Sequence, residues 1–198
     1  LRAQPPDLDP ALRALDDIIK DGRRVSEVIA GIRALIKKSP TQIEVLDINQ
    51  VVMETVALTH GEILKNGVSM ETDLTDELPP VRGDRVQLQQ VIMNMIMNAV
   101  EAMSNVDEVV RELQIRTDKD RDDAILLTVR DSGPMLKSDS LDRFFQPFYS
   151  TKPSGMGIGL SICRSIVEAH GGRIWVTGNA PQGVTLHITL PALREAAF

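Results

Sequence analysis

Gln90, Asn94 and Asn98 recur every four residues in the run LQQVIMNMIMNAVEAM, and Glu101 follows three positions later. In a helix that spacing sets them on one face. A stripe that merely meets water usually carries Lys, Glu and Arg, whereas this one is neutral amides set among Met and Ile. Two readings follow: an ordinary solvated stripe, or a floor of oxygen and nitrogen ligands facing a polar ligand or a hard cation. Asp131-Ser132-Gly133-Pro134 comes directly after the run ILLTVR. A carboxylate followed by glycine is common in plain turns. It can also accept a hydrogen bond from an exocyclic amine while Gly133 lets a flat ring approach the backbone. Gly155-Met156-Gly157-Ile158-Gly159-Leu160 precedes SICRSIVEAH. That is either a flexible loop or a phosphate cradle, in which backbone N–H groups and a helix N-terminus meet an anion. The spacing is not G-x-G-x-x-G, because position 160 is Leu, and no Walker A motif is present. Phe144, Phe145, Phe148 and Tyr149 pin a loop to the body of the protein. Lys152 beyond them either reaches a phosphate or stands in solvent.

The elements that must position these residues can be read from periodicity. From Pro10 to about Lys38, apolar residues at spacings of three and four predict one long helix, from Leu12, Leu15 and Ile18 to Leu35 and Ile36. Burying that stripe is worth on the order of 10 kcal/mol before entropy, so it needs a partner helix, and a homodimer through residues 10–38 is expected. Ser39-Pro40-Thr41-Gln42 is a breaker and marks a linker at 39–42. A strand at Ile43–Leu46, a helix at Ile48–Lys65 closed by Asn66-Gly67, and a strand at Val68–Leu74 follow. Asp76 to Gly83, with Pro79-Pro80, reads as a loop leading to the amide-bearing helix, with Asp84 as its N-cap. Strands are expected near Glu112–Thr117 and Ala124–Arg130, a turn of helix at Ser140–Phe145, a helix at Gly159–Ala169, and strands near Arg173–Gly178 and Val184–Leu190. Helices that do not alternate strand by strand predict a helical layer on a mixed sheet.

Composition bounds the function. The chain has 198 residues, is 42% hydrophobic and carries a formal net charge of -6, which supports a real core and argues against a nucleic-acid-binding face. Cys163 is the only cysteine; it excludes an intrachain disulfide and reads as a small core residue. There is no apolar run of about 18 residues. A cytoplasmic chain without direct membrane contact is expected, whether its parent is soluble or membrane-anchored.

Taken in order, these stretches resemble, box for box, the catalytic and ATP-binding domain of sensor histidine kinases, within the gyrase and MutL ATP-binding superfamily. The N box resembles Gln90–Met103, the first G box Asp131–Gly133, the F box Phe144–Phe148, the second G box Gly155–Gly159 and the last Gly183-Val184-Thr185. The likeness covers about residues 43 to 192. Residues 10–38 are similar to the second helix of the dimerisation and phosphotransfer hairpin. The resemblance implies an α/β (α+β) two-layer sandwich, a mixed sheet covered by helices on one face (the Bergerat ATP-binding fold). It divides the chain into a partial dimerisation helix at 1–38, the linker, and a catalytic ATP-binding domain at 43–198.

The same resemblance implies ATP and Mg²⁺ as cofactors and a response-regulator receiver domain as partner. Asn98 and Asn94 would hold Mg²⁺ against the phosphates. Asp131 would receive the adenine amino group, with Thr185 supporting it through water and Gly133 admitting the ring. Residues 132–156 would form the ATP lid, and Lys152, Gly155, Gly157, Gly159 and Leu160 its phosphate side. Hydrolysing relatives place a water-activating Glu four residues before the metal Asn; here that residue is Asn94, which cannot act as a base, so transfer is favoured over hydrolysis. Met135 stands where the first G box usually has a second glycine, at a cost of about 1–2 kcal/mol if φ there is positive. The acceptor histidine is expected on a preceding helix. Of His60, His170 and His187, none lies on the long helix, and His170 is expected to cap. The fragment should therefore bind ATP without phosphorylating itself. Two other readings are a degenerate nucleotide-binding regulatory module and an anti-sigma-type serine-protein kinase.

Overall fold

Apolar residues alternate along β4 (Glu112–Asp120) and β5 (Ala124–Asp131), so that Leu113, Ile115, Ile125, Leu127 and Val129 are buried on one face of a sheet. The computed structural model describes residues 14, 15, 18, 22, 42–104, 110–120, 124–135, 143–149 and 157–193. With β2 (Ser69–Leu74), β6 (Arg173–Gly178) and β7 (Val184–Pro191), these strands form a five-stranded sheet in the order β2-β4-β5-β7-β6. Only β2 and β4 run parallel, which makes the sheet mixed, as expected.

Among the described residues, three helices supply the covering layer. α1 (Ile48–Lys65) is capped by Asp47, whose Oδ1 accepts the N–H of Asn49 at 2.8 Å. α2 (Arg85–Ser104) starts at Asp84, whose Oδ1 accepts the N–H of Gln87 at 3.1 Å, as its sequence position anticipates. α2 packs against both α1 and α3 (Gly159–Ala169). Its Leu88, Val91, Ile92, Met95, Ile96, Ala99, Val100 and Met103 are buried, worth on the order of 15 kcal/mol before the entropy of ordering.

One expected loop is a strand. β3 (Val81–Asp84) takes the last three residues of the segment read as loop together with Asp84, and pairs antiparallel with β1 (Ile43–Leu46), from Ile43 opposite Asp84 to Leu46 opposite Val81. Four residues behind Pro79-Pro80 are too few for alternation to register, and the pairing that makes them a strand is long-range. His170 ends α3 as expected. Its Nε2 accepts the N–H of Asp84 at 3.0 Å and its Nδ1 meets the carbonyl of Ile166 at 2.7 Å, which fixes the neutral tautomer protonated at Nδ1.

By its contacts the chain divides into residues 1–38 and 39–198. In the first unit Ala14, Leu15, Ile18 and Gly22 are helical and exposed. The remainder of the expected long helix lies outside the described residues, as do residues 140–142 of the expected helical turn; residues 143–148 form turns. No helix among the described residues is long and apolar enough to cross a membrane.

Candidate functional site

Gln90, Asn94 and Asn98 are half-buried along one face of α2, and Glu101 is exposed. The stripe is therefore neither core nor a charged solvent face. The Asn98 Nδ2 donates to the carbonyl of Asn94 at 2.8 Å, four residues back on the same helix. The Asn94 Nδ2 donates to the Cys163 Sγ of α3 at 3.6 Å. The Asn94 nitrogen is thus turned toward α3 and the Asn98 nitrogen back onto its own helix, and each planar group sets its carbonyl oxygen on the opposite edge. Cys163 is fully buried, and burial pushes its thiol up to about 12, against a smaller lowering by the Asn94 contact. It is the inert core residue that the sequence reading expects.

Asp131 ends β5, 7% exposed, and its Oδ1 accepts the N–H of Gly133 at 2.8 Å. A Cβ added at Gly133 would lie 3.5 Å from both the Ala102 Cβ and the Met103 Cγ. The tight neighbour would be the Asp131 Oδ1 at 2.9 Å, so the glycine leaves room for that carboxylate over its own turn, while the end of β5 lies within ordinary contact range of the last turn of α2, the helix that carries Asn98. Met135 is exposed, and the described non-glycine residues with positive φ are Glu77 and Phe148. Met135 therefore bears none of the left-handed strain that its place in the first G box would have implied.

The aromatic loop is pinned by Phe145, with Phe144 and Tyr149 half-buried, but not by Phe148 as expected, whose ring is exposed. Phe145 is buried, makes an edge-to-face contact with Phe144 at 5.8 Å, and lies under the guanidinium of Arg164 on α3 at 4.7 Å. Gly157 has φ +66°, and a Cβ there would collide with the Tyr149 backbone. Phe148 donates its N–H to the Gly157 carbonyl at 3.1 Å, so the loop and the glycine turn are stapled together. Phe148 itself is exposed with φ +64°. Gly159 opens α3, where Ile158 provides no side-chain cap, so satisfaction of the first N–H groups is left to other partners. Leu160 is half-buried against the core and contributes packing. Lys152 and Gly155 lie outside the described residues.

Thr185 is not brought to Asp131. It is paired directly with Arg130 and with Thr177, and directly opposed residues share a face of the sheet. Arg130 and Thr177 are exposed on the face away from the helices, whereas Asp131 is on the helix-covered face. The Thr185 hydroxyl donates to the Asn179 Oδ1 at 3.0 Å. Val184 is in phase with the buried Leu186, Ile188 and Leu190, hence on the side of Asp131. The strand's parity carried this signal in the sequence. Arg164, by contrast, had no local signal, because its ring partner comes from another segment.

A mixed sheet with helices on one face, an amide-lined central helix and a carboxylate at the end of β5 define the histidine-kinase type of catalytic domain. The nucleotide-free catalytic domain of histidine kinase ThkA is similar over 76% of this chain and 96% of its own, at 31% identity and a TM-score of 0.67. The chain belongs to the family of histidine kinase-, DNA gyrase B- and HSP90-like ATPases, whose model matches residues 83–194. Among curated relatives, the sensor histidine kinase TmoS of Ectopseudomonas mendocina is 34% identical over 95% of this chain and 19% of its own length. The sensor protein FixL of Bradyrhizobium diazoefficiens is 37% identical over 92% of this chain and 36% of its own. The chain thus spans between a fifth and about a third of those relatives. ThkA in complex with the response regulator TrrA is similar over 96% of this chain, at 25% identity and a TM-score of 0.72.

Proposed function

We propose that this chain is the ATP-binding kinase core of a two-component sensor, passing the γ-phosphate of ATP to a histidine carried on another helix for relay to a response-regulator aspartate. The observation that carries the reading is the half-buried face of α2, where the Asn94 nitrogen is engaged by Cys163 and the Asn98 nitrogen by the helix backbone, together with the buried Asp131 carboxylate at the end of β5. Asp131 receives the 6-amino group of the base. Gly157 and Gly159, with Gly155 and Lys152, serve the phosphates.

The donor set fits Mg²⁺. Asn98 and Asn94 offer neutral amide oxygens, which suit a hard cation that keeps several waters and takes the rest of its charge balance from phosphates. Mg²⁺ would be held jointly by these amide oxygens and by the phosphates of the nucleotide. When bound, it neutralises phosphate charge, the main requirement of phosphoryl transfer. Asn94 cannot activate water, which supports transfer over hydrolysis.

Other parts of the chain support the same reading. Leu15 and Ile18, helical and exposed, are one turn apart on a face that a second copy would cover. The phosphoacceptor is read as a histidine on another helix: His60 lies within α1 of the catalytic unit, His170 is committed to Asp84 and Ile166, and the His187 Nε2 bonds the Thr177 hydroxyl at 2.7 Å. The ThkA complex names a response regulator as that kinase's partner, and a receiver domain is proposed here likewise. The test is transfer of label from γ-labelled ATP to a histidine-bearing helix hairpin added in trans. Label on the hairpin's histidine is expected; ATP binding without transfer would leave a regulatory module.

A further inference from the structure

The register of α3 on α2 bears on how the phosphate side of the site is held, and this step rests on the nucleotide reading above. Midway along α3, the Cys163 Sγ accepts from the Asn94 Nδ2 at 3.6 Å and donates to the carbonyl of Val91 at 3.9 Å. About two turns further on, where the helix ends, the His170 Nε2 accepts the N–H of Asp84 at 3.0 Å. Asp84 precedes Val91 by the same two turns, so α3 runs antiparallel to α2. One turn back from Cys163 is Gly159, and one turn on from Val91 is Met95. The start of α3 thus stands level with the stretch of α2 between Asn94 and Asn98. The imidazole at the far end is closely held. Its Nδ1 meets the carbonyl of Ile166 at 2.7 Å, and a Cβ on Gly83 would come within 2.9 Å of its Cδ2. Just beyond it, a Cβ on Gly172 would collide with the carbonyl of Thr189, so the chain leaving α3 is pressed against β7.

We propose that His170 is a positioning residue for the nucleotide site. By holding the end of α3 on the N–H of Asp84, where α2 begins, it sets the register in which Gly157 and Gly159 face Asn94 and Asn98. Apolar burial between the two helices is non-directional and keeps them together; a directional bond at one end fixes where along its axis α3 rests. The Cys163 contacts are long and involve sulfur, a weak acceptor and a weak donor, so the tether at His170 is the stronger of the two. His170 itself touches neither nucleotide nor metal and acts through the placement of α3.

The test is the affinity of Mg-ATP for the whole chain and for His170→Gln and His170→Asn. The glutamine Oε1 reaches the place of Nε2 and keeps an acceptor for Asp84, whereas the shorter asparagine amide reaches only the place of Nδ1. His170→Asn is expected to weaken Mg-ATP binding by about threefold or more, the scale of one modest hydrogen bond, with His170→Gln within about twofold of the parent. Amide exchange at Asp84 should quicken in the first variant and not in the second. Affinities are read well below the melting temperature, where a merely structural histidine would cost stability and leave the affinity of the folded chain unchanged. If His170→Asn does not fold, Gly83→Ala, whose methyl presses on the ring from β3, is the second variant and is expected to weaken binding likewise. Unchanged Mg-ATP affinity in the folded variant, or an equal loss in His170→Gln, would overturn the assignment. A parent chain that does not bind Mg-ATP would instead remove the nucleotide reading itself, which separates the two failures.

Discussion

Asn98 concentrates the proposed chemistry, because its nitrogen is tied to the carbonyl of Asn94 and its orientation is set by its own helix. Asn98→Asp is expected to keep the fold and to weaken Mg-dependent ATP binding by about tenfold or more, since a carboxylate beside the phosphates changes the charge the ion must balance; calorimetry with and without Mg²⁺ reads this directly. Equal Mg-dependent affinity in mutant and parent would remove Asn98 from the metal site. Cys163 makes a second prediction. With its thiol pushed up to about 12 by burial, it should resist alkylation in the native state and react at the rate of unfolding. Its folded value lies above the unfolded one, so its contribution to stability is complete below an unfolded value near 9 and is lost as pH rises toward the folded one. The amide stripe was legible because a period near 3.6 survives in any single helix. Thr185 was assigned by its place in a motif, but the face of a strand residue is set by counting in twos, and that count places Val184 on the helix side.

Most elements were legible because their signals are local: Asp84 as a cap, Asn66-Gly67 as a stop, apolar spacing along α2. β3 was not, since only its pairing with β1 makes it a strand. Where the glycine-turn geometry is tight, small changes should act strongly. Gly157→Ala combines a positive φ with a collision against Tyr149, so it is expected to destabilise by about 2 kcal/mol or more and to loosen the aromatic loop, visible as faster amide exchange at Phe148. On the outer face of β6 and β7, Trp175 stacks on His187 with centroids 4.9 Å apart and planes 2° from parallel. Burial lowers the His187 pKa below its usual 6.5. The unfolded chain therefore takes up this proton first, so stability falls as pH drops through that value toward the lower folded one. Melting temperature measured from about pH 8 to pH 5 should decline at the acid end, and His187→Phe, which keeps the stack, should shrink that decline.

Across the whole molecule, the helix layer, mixed sheet and family match establish the catalytic-domain fold, and the proposed design on it is a helix that positions a phosphate and a strand end that reads a base. The exposed Leu15 and Ile18 call for a partner, so light scattering at micromolar concentration should give a dimer for the full chain and a monomer for residues 39–198. A full chain that stays monomeric would contradict dimerisation through residues 10–38. The order of the boxes along the chain carried this picture in the sequence, because each box is weak alone and their succession is not. The most direct test of the central claim is calorimetric titration of ATP into the full chain in the presence and absence of Mg²⁺. Saturable binding that strengthens with Mg²⁺ is the predicted result. No heat of binding at millimolar ATP, with the fold intact by circular dichroism, would contradict it.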